Sequence, residues 1–195
     1  MKNKMVQIIG VLEDGENSLH QQAINYLQTA DLIIGSPRFI QRLDEQGVLL
    51  DNVEKKDFSG QLLQVPLWIE NALTRKKQVV VLATGDPLCH GIGAFLVKRL
   101  GIDTVHIIPN TSMIQVAFSR LGIAWQQAKI SSIHNKDMGE WTKQSGFDHG
   151  MHGLLEDCHT HDLIACYTSP ENTPARIADM LEKENMANDF QCVIA

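Results

Sequence analysis

The sequence predicts an α/β protein with a mostly parallel sheet, and three observations carry that prediction. Short apolar runs of four to seven residues recur along the chain. Segments with helical periodicity separate them, and strands alternating with helices imply parallel pairing. With 44% hydrophobic and 21% charged residues, a chain of 195 residues can bury a substantial core.

The elements follow in chain order. MVQIIGV (5–11) is the first strand, and SLHQQAINYLQTA (18–30) then places Leu19, Ala23, Tyr26, Leu27 and Ala30 at helical spacing. DLIIG (31–35) is the second strand and runs into a Gly-Ser-Pro-Arg turn. Pro66 suits the first turn of a helix reaching about Lys76, because an interior proline costs roughly 3 kcal/mol. QVVVLAT (78–84) is the third strand, and GIGAFLVKRLG (91–101) keeps Phe95, Leu96 and Leu100 on one side before closing on Gly101. After the strand TVHIIP (104–109), the segment TSMIQVAFSRLG (111–122) reads as a capped helix. Hydroxyl residues precede its stripe of Ile114, Ala117, Phe118 and Leu121, and Gly122 stops it.

AKISSI (128–133), DLIACYT (162–168) and FQCVIA (190–195) are read as further strands, while the polar span 135–161 has no clear period. Pro-Asn-Thr-Ser at 109–112 interrupts the alternation. The reading is therefore an N-terminal α/β domain over 1–110 and a C-terminal one over 111–195. A Val- and Ile-rich parallel strand normally needs cover on both faces. With nothing following FQCVIA, the second domain is expected to be incomplete.

Composition excludes several function classes. Seventeen Lys and Arg against 23 Asp and Glu give a net charge of -6, which disfavours a general nucleic-acid binder or a basic membrane-surface protein. The N-terminal apolar run is too short for a signal-peptide core, and no stretch approaches the roughly 18 apolar residues of a membrane span. A cytoplasmic location is expected. Cys89, Cys158, Cys166 and Cys192 show no CxxC spacing, as expected of reduced thiols.

The chemistry-bearing stretch is Thr84-Gly-Asp-Pro87, followed by Gly91-Ile-Gly93. In open α/β sheets ligands bind beyond the carboxyl ends of strands, and this loop follows such an end. The residues leave two readings open. In one, Gly85 lets the backbone approach a ligand and Asp86 accepts hydrogen bonds from hydroxyls or an amine. In the other, Asp86 caps the next helix and Gly91 and Gly93 serve close packing. Gly10-Val-Leu-Glu-Asp-Gly15 lacks a GxGxxG cradle, and no GxxxxGK[ST] occurs, so a cofactor without phosphate fits better. No GxSxG or HExxH occurs either. His149, His152, Cys158, His159 and His161 are ligand types without a zinc spacing, so no metal is expected.

VVVLATGDPLCHGIGAFLVKRLG (79–101), HIIPNTSMIQVAFSRLGIAWQQAKISSIH (106–134) and IACYTSPENTPARIADML (164–181) together resemble the tetrapyrrole (corrin/porphyrin) methyltransferase family. The resemblance is greatest to the branch acting on carbon 5 of the corrin ring, including the first half of the enzymes that methylate carbons 5 and 15. It spans nearly the whole chain. It implies two α/β domains enclosing S-adenosyl-L-methionine in a cleft, a homodimer, and a cobalamin-pathway C-methyltransferase acting on cobalt-precorrin-7 or its metal-free equivalent. Carbon-15 methylation and decarboxylation would then fall to a separate protein. The alternatives are a non-catalytic tetrapyrrole- or metal-binding protein on the same fold, or a family member acting on another ring carbon.

By that resemblance, Gly85, Asp86 and Pro87 line the cofactor cleft, Gly91 and Gly93 allow close approach, and Thr111 and Ser112 lie beside it. Tyr167 and Thr168, with Pro174 beyond them, complete the cofactor set. No catalytic side chain is implied, since methyl transfer from a sulfonium needs chiefly alignment, a contribution of about 7–11 kcal/mol. Substrate carboxylates call for basic groups: Arg38 first, because arginine grips a carboxylate bidentately, then Arg120, Lys129, His134 and Arg176. The chain departs from the family in its first loop, which lacks the usual glycine- and proline-rich sequence, and in stopping at Ala195.

Overall fold

The computed structural model describes residues 5–134, 137 and 139–194. The chain divides into two compact units, residues 1–113 and 114–195.

Unit 1 is built on a five-stranded parallel sheet of order β3-β2-β4-β1-β5. Its strands are β1 (Val6–Val11), β2 (Leu32–Gly35), β3 (Glu54–Asp57), β4 (Val79–Thr84) and β5 (Val105–Ile108). The period-2 alternation of a strand explains why the central runs are apolar at nearly every position. Ile9, Val11, Ile33, Val80 and Leu82 face one core, with Leu27, Phe39 and Leu43 packed on them. Val6, Ile8, Ile34, Val79 and Val81 face the other, under Val65, Ile69 and Leu96. The helices α1 (Gln21–Leu27) and α2 (Pro37–Glu45) thus cover one face, and α3 (Val65–Thr74) and α4 (Ile92–Leu100) cover the other.

Two elements of unit 1 have no counterpart in the strands and helices expected from sequence. Strand β3 is Glu-Lys-Lys-Asp, mostly exposed. It sits at the sheet edge, where charged residues block pairing with another chain, so apolarity does not mark it. Helix α2 occupies what reads as a Gly-Ser-Pro-Arg turn. Pro37 is in its first turn, where a missing N–H costs nothing, and Phe39, Ile40 and Leu43 are buried. The first predicted helix is also shorter than 18–30, since residues 15–18 form a separate 3-10 turn.

Unit 2 holds α5 (Met113–Leu121, whose first residue closes unit 1), α6 (His152–Thr160) and α7 (Pro174–Lys183), with β6 (Lys129–Ser132) and β7 (Ile164–Tyr167) paired parallel. One core cluster joins Leu154, Leu155 and Cys158 of α6 to Met180 of α7, Ile133 and Trp141. The expected strand 190–195 is corrected: residues 190–194 form no strand, and Ala195 lies outside the described residues. Phe190 packs against the core, while Ile194 is 78% exposed. The run is apolar because part of it covers the core, and strand propensity without a ladder partner does not make a strand.

Candidate functional site

The carboxyl ends of β1 and β4 lie side by side, with Val11 in register with Thr84. From β1 the chain passes to α1 on one face, and from β4 to α4 on the opposite face. Such a divergence of connections is the topological switch point at which open α/β sheets bind ligands.

Two glycines let the backbone close up at this point. Gly85 has φ +61°, favourable only to a residue without Cβ, and its N–H donates to the Val11 carbonyl at 3.0 Å. A Cβ there would stand 3.0 Å from the Thr111 carbonyl oxygen and 3.3 Å from the Ser112 Cα. The structure therefore brings Gly85, Thr111 and Ser112 together. Gly10 was not among the expected site residues. A Cβ on it would lie 1.9 Å from the Gly85 carbonyl oxygen, so the last turn of β1 and the Gly-Asp-Pro loop are in backbone contact. The only signal in the sequence is a glycine inside a strand made mostly of Val and Ile.

Asp86 does not cap α4. Its Oδ1 accepts the Leu88 amide at 2.8 Å, closing a turn within its own loop, and Gly91 holds the cap position. Pro87 is buried, and its carbonyl accepts the Gly93 N–H at 2.9 Å. Cβ atoms on Gly91 and Gly93 would fall 2.6 and 2.7 Å from that same oxygen. The space these glycines leave is filled by Pro87. The amino end of α4, which in a dinucleotide fold would receive a phosphate, is closed by the chain's own carbonyl.

Beside the crevice, a hollow of about 470 Å³ is lined by Leu12, Asp14, Ser18, His20, Asn110 and Thr111. Asn110 organises its wall: Nδ2 donates to the Gly10 carbonyl at 3.1 Å and the Ser18 carbonyl at 2.8 Å, and Oδ1 accepts the Thr111 amide at 2.8 Å. Arg38, in the first turn of α2, reaches the same strand ends. Its Nη1 is 2.9 Å from Glu13 Oε1, with side chains 57% and 66% exposed, and Nη2 donates to Thr84 Oγ1 at 3.5 Å. A pair this exposed contributes at most about 1 kcal/mol, so Arg38 can exchange Glu13 for another carboxylate.

The remaining expected residues belong to unit 2. Tyr167 ends β7 and its carbonyl accepts the Ile133 amide at 2.8 Å. The Thr168 carbonyl is 2.9 Å from His134 Nδ1, and Pro174 opens α7 behind the N-cap Thr173. Thr168 and Pro174 share an apolar pocket of about 230 Å³ with Cys158, Cys166, Ile177 and Cys192. Of the other basic candidates, Arg176 is held by Asp137 at 2.6 Å and Glu140 at 2.9 Å, and Lys129 lies 3.4 Å from Asp157. Arg120 is exposed at the end of α5. His149 meets Trp141 edge to face and His152 packs at a tilt against Phe147, and among the described residues no three His, Cys, Asp or Glu side chains are grouped to hold a metal ion.

Burial pushes the Cys166 thiol up to about 11 and raises that of Cys158, whereas Cys192 is exposed. Because the thiolate is the reactive form, iodoacetamide at pH 8 is expected to label Cys192 first. Cys158 and Cys166 should follow only on unfolding. Peptide mapping that finds Cys166 labelled as fast as Cys192 would refute this placement.

Residues 5–195 match the family model for Tetrapyrrole (Corrin/Porphyrin) Methylases. The chain is 30% identical over 132 residues to a cobalt-precorrin-7 C(5)-methyltransferase of Salmonella typhimurium, covering 68% of this chain and 62% of that one. It is 31% identical over 131 residues to a decarboxylating precorrin-6Y C(5,15)-methyltransferase of Sinorhizobium sp, covering 67% of this chain and 30% of that one. The alignments thus span less than two thirds of these relatives. Among solved structures, the methyltransferase CobJ superposes with a TM-score of 0.73 at 16% identity, covering 96% of this chain and 77% of that one. That likeness shows the shared fold. No helix among the described residues is long and apolar enough to cross a membrane.

Proposed function

This chain belongs to the tetrapyrrole (corrin/porphyrin) methylase family, and on that premise we propose that it transfers a methyl group from S-adenosyl-L-methionine to carbon 5 of a corrin precursor, cobalt-precorrin-7 or its metal-free equivalent. The reading takes the protein to act as a cytoplasmic homodimer, and it covers carbon 5 alone. The observation that carries the cofactor assignment is the crevice between β1 and β4. It packs the backbone of Gly10, Gly85 and Thr111 closely together beside a carboxylate at Asp86, while the Pro87 carbonyl occupies the amino end of α4, a position that in a dinucleotide fold would favour a phosphate.

A sulfonium cofactor supplies a methyl group that is already electrophilic. What remains for these residues is to bind and align. Asp86 accepts hydrogen bonds from a ribose hydroxyl or the ammonium group, with its Oδ1 already fixed by the Leu88 amide. The backbone around Thr111 and Ser112, against Gly85, faces the same strand ends. Arg38 takes a substrate carboxylate in place of Glu13, which keeps the corrin periphery beside the cofactor.

Calorimetric titration with S-adenosyl-L-methionine tests the reading. Saturable binding near one site per chain is expected, and Asp86→Ala should weaken it about tenfold or more, the range of one hydrogen bond to a charged group. Asp86→Asn, which keeps an acceptor for Leu88, separates loss of charge from loss of the turn. In an assay on cobalt-precorrin-7, Arg38→Ala should raise KM for the corrin and leave cofactor affinity in place. A well-folded protein that binds no cofactor would overturn the assignment.

A further inference from the structure

At the opposite end of the unit 1 strands, beside edge strand β3, lies a second hollow of about 210 Å³. The buried side chains of Leu32 and Ala72 line it, and the half-buried Trp68 ring forms a wall. Lys56, Arg75 and Lys77 face it with a single carboxylate, Glu54. Two periodicities assemble the cluster. Glu54 and Lys56 are alternate residues of β3 and share a face, while Trp68, Asn71 and Arg75 recur three and four apart along α3 and its end.

The charges do not cancel. Glu54 Oε2 lies 2.6 Å from Lys77 Nζ and Oε1 lies 3.6 Å from Lys56 Nζ, so one carboxylate serves two ammonium groups. The hydrogen bond from Lys77 holds the Glu54 carboxyl below the usual carboxylate range, which keeps it ionised and engaged. Lys56 Nζ also stands 5.1 Å from the Trp68 ring centre. Arg75 makes no ion pair among the described residues, and the neighbouring Asp31 turns its Oδ2 to the Gln78 amide at 2.7 Å. The residues lining the hollow thus carry three cations against one carboxylate, a local excess of positive charge in a chain whose net charge is -6.

We propose that this hollow is a binding site for a compact polyanion of the phosphate or polycarboxylate class, separate from the cofactor crevice. Arg75 presents a planar fork to an oxyanion, and Lys56 and Lys77 supply point charges from the strand side. The Asn71 side chain adds a neutral polar group at the rim, and Trp68 shields one side from water. The volume suits a ligand the size of pyrophosphate or citrate and is too small for a corrin macrocycle. The inference does not depend on the methyltransferase reading, because its residues come from the start of β2, from β3, from α3 and from the turn that follows it, and none belongs to the cofactor crevice.

The test is titration of the full chain with inorganic pyrophosphate and, separately, with citrate, followed by calorimetry and Trp fluorescence at low salt. Saturable binding of at least one anion near one site per chain is expected, with the tighter of the two identifying the phosphate or the carboxylate class. Arg75→Gln with Lys77→Gln should weaken it at least about tenfold, while Lys98→Gln with Arg99→Gln, which removes the same charge from α4, should leave it unchanged. Arg75→Gln alone guards against misfolding and should still weaken the anion several-fold while S-adenosyl-L-methionine binding is unaffected. Absence of saturable binding to both anions, or equal losses in the two double variants, would overturn the proposal.

Discussion

Gly10→Ala is expected to destabilise the protein by about 3 kcal/mol or more, at or above the usual upper end for inserting a methyl group into a packed interior. The added Cβ would lie 1.9 Å from the Gly85 carbonyl oxygen and 2.9 Å from both the Asn110 Cβ and backbone nitrogen. Neither side can yield cheaply. β1 is the strand paired with both β4 and β5, and Gly85 is tied back to it through the Val11 carbonyl. Relief requires moving the Gly-Asp-Pro loop away from β1, so cofactor affinity should fall together with stability. Against a typical domain stability of about 5–15 kcal/mol, such a cost is large enough to be read directly by urea unfolding. Gly153→Ala is the control: Gly153 lies in α6 with nothing within 4 Å of the added Cβ, so it should be neutral or stabilise by up to about 1 kcal/mol. A Gly10→Ala protein within about 0.5 kcal/mol of the parent, the usual range for inconsequential surface changes, would show that the two backbones are not in contact.

That prediction rests on a residue whose sequence gives it little weight. The parallel sheet is legible because β1, β2, β4 and β5 send side chains into cores on both faces and are therefore mostly apolar runs, with Gln7 and His106 among the exceptions. β3 escapes because an edge strand of Glu-Lys-Lys-Asp carries its structure in pairing with β2 rather than in composition. α6 lies in a stretch where His149, His152 and Trp141 take packing roles that elsewhere fall to aliphatic residues, which blurs the 3.6-residue period. The Gly-Asp-Pro loop is legible as a site because few ordinary turns need glycine, aspartate and proline together. How it is built is not legible: that Asp86 closes its own turn, and that Gly91 and Gly93 make room for Pro87, depends on distances that spacing does not encode. The same holds for Glu13 and Asn110, which matter through partners far away in the chain.

Asn110→Asp should impair the site more than Asn110→Ala, although aspartate is the closer match in shape. The wild-type amide donates to two carbonyls, Gly10 and Ser18, and accepts from Thr111, joining the end of β1, the 3-10 turn at 15–18 and the segment leading to α5. Aspartate preserves the acceptor for Thr111 but turns a second carboxylate oxygen toward two carbonyl oxygens. Both carbonyls lose their donor, at about 1–3 kcal/mol for each one left unsatisfied, and the new negative charge repels them. Alanine removes the same bonds but leaves room for water from the adjoining hollow, so its cost should be smaller. The ordering has a pH signature. Facing two carbonyls, the introduced carboxyl gains a hydrogen bond only when protonated, so its folded-state pKa is raised above the unfolded value. Its stabilising form is then fully present below the unfolded pKa and is lost as pH rises through the folded one. The gap in thermal stability between Asn110→Asp and the parent should therefore narrow as pH is lowered from 7 toward 4, while the gap for Asn110→Ala stays constant. A pH-independent gap for Asn110→Asp would mean that the side chain has swung away from Gly10 and Ser18, and that their carbonyls are not what holds the wall of the hollow in place.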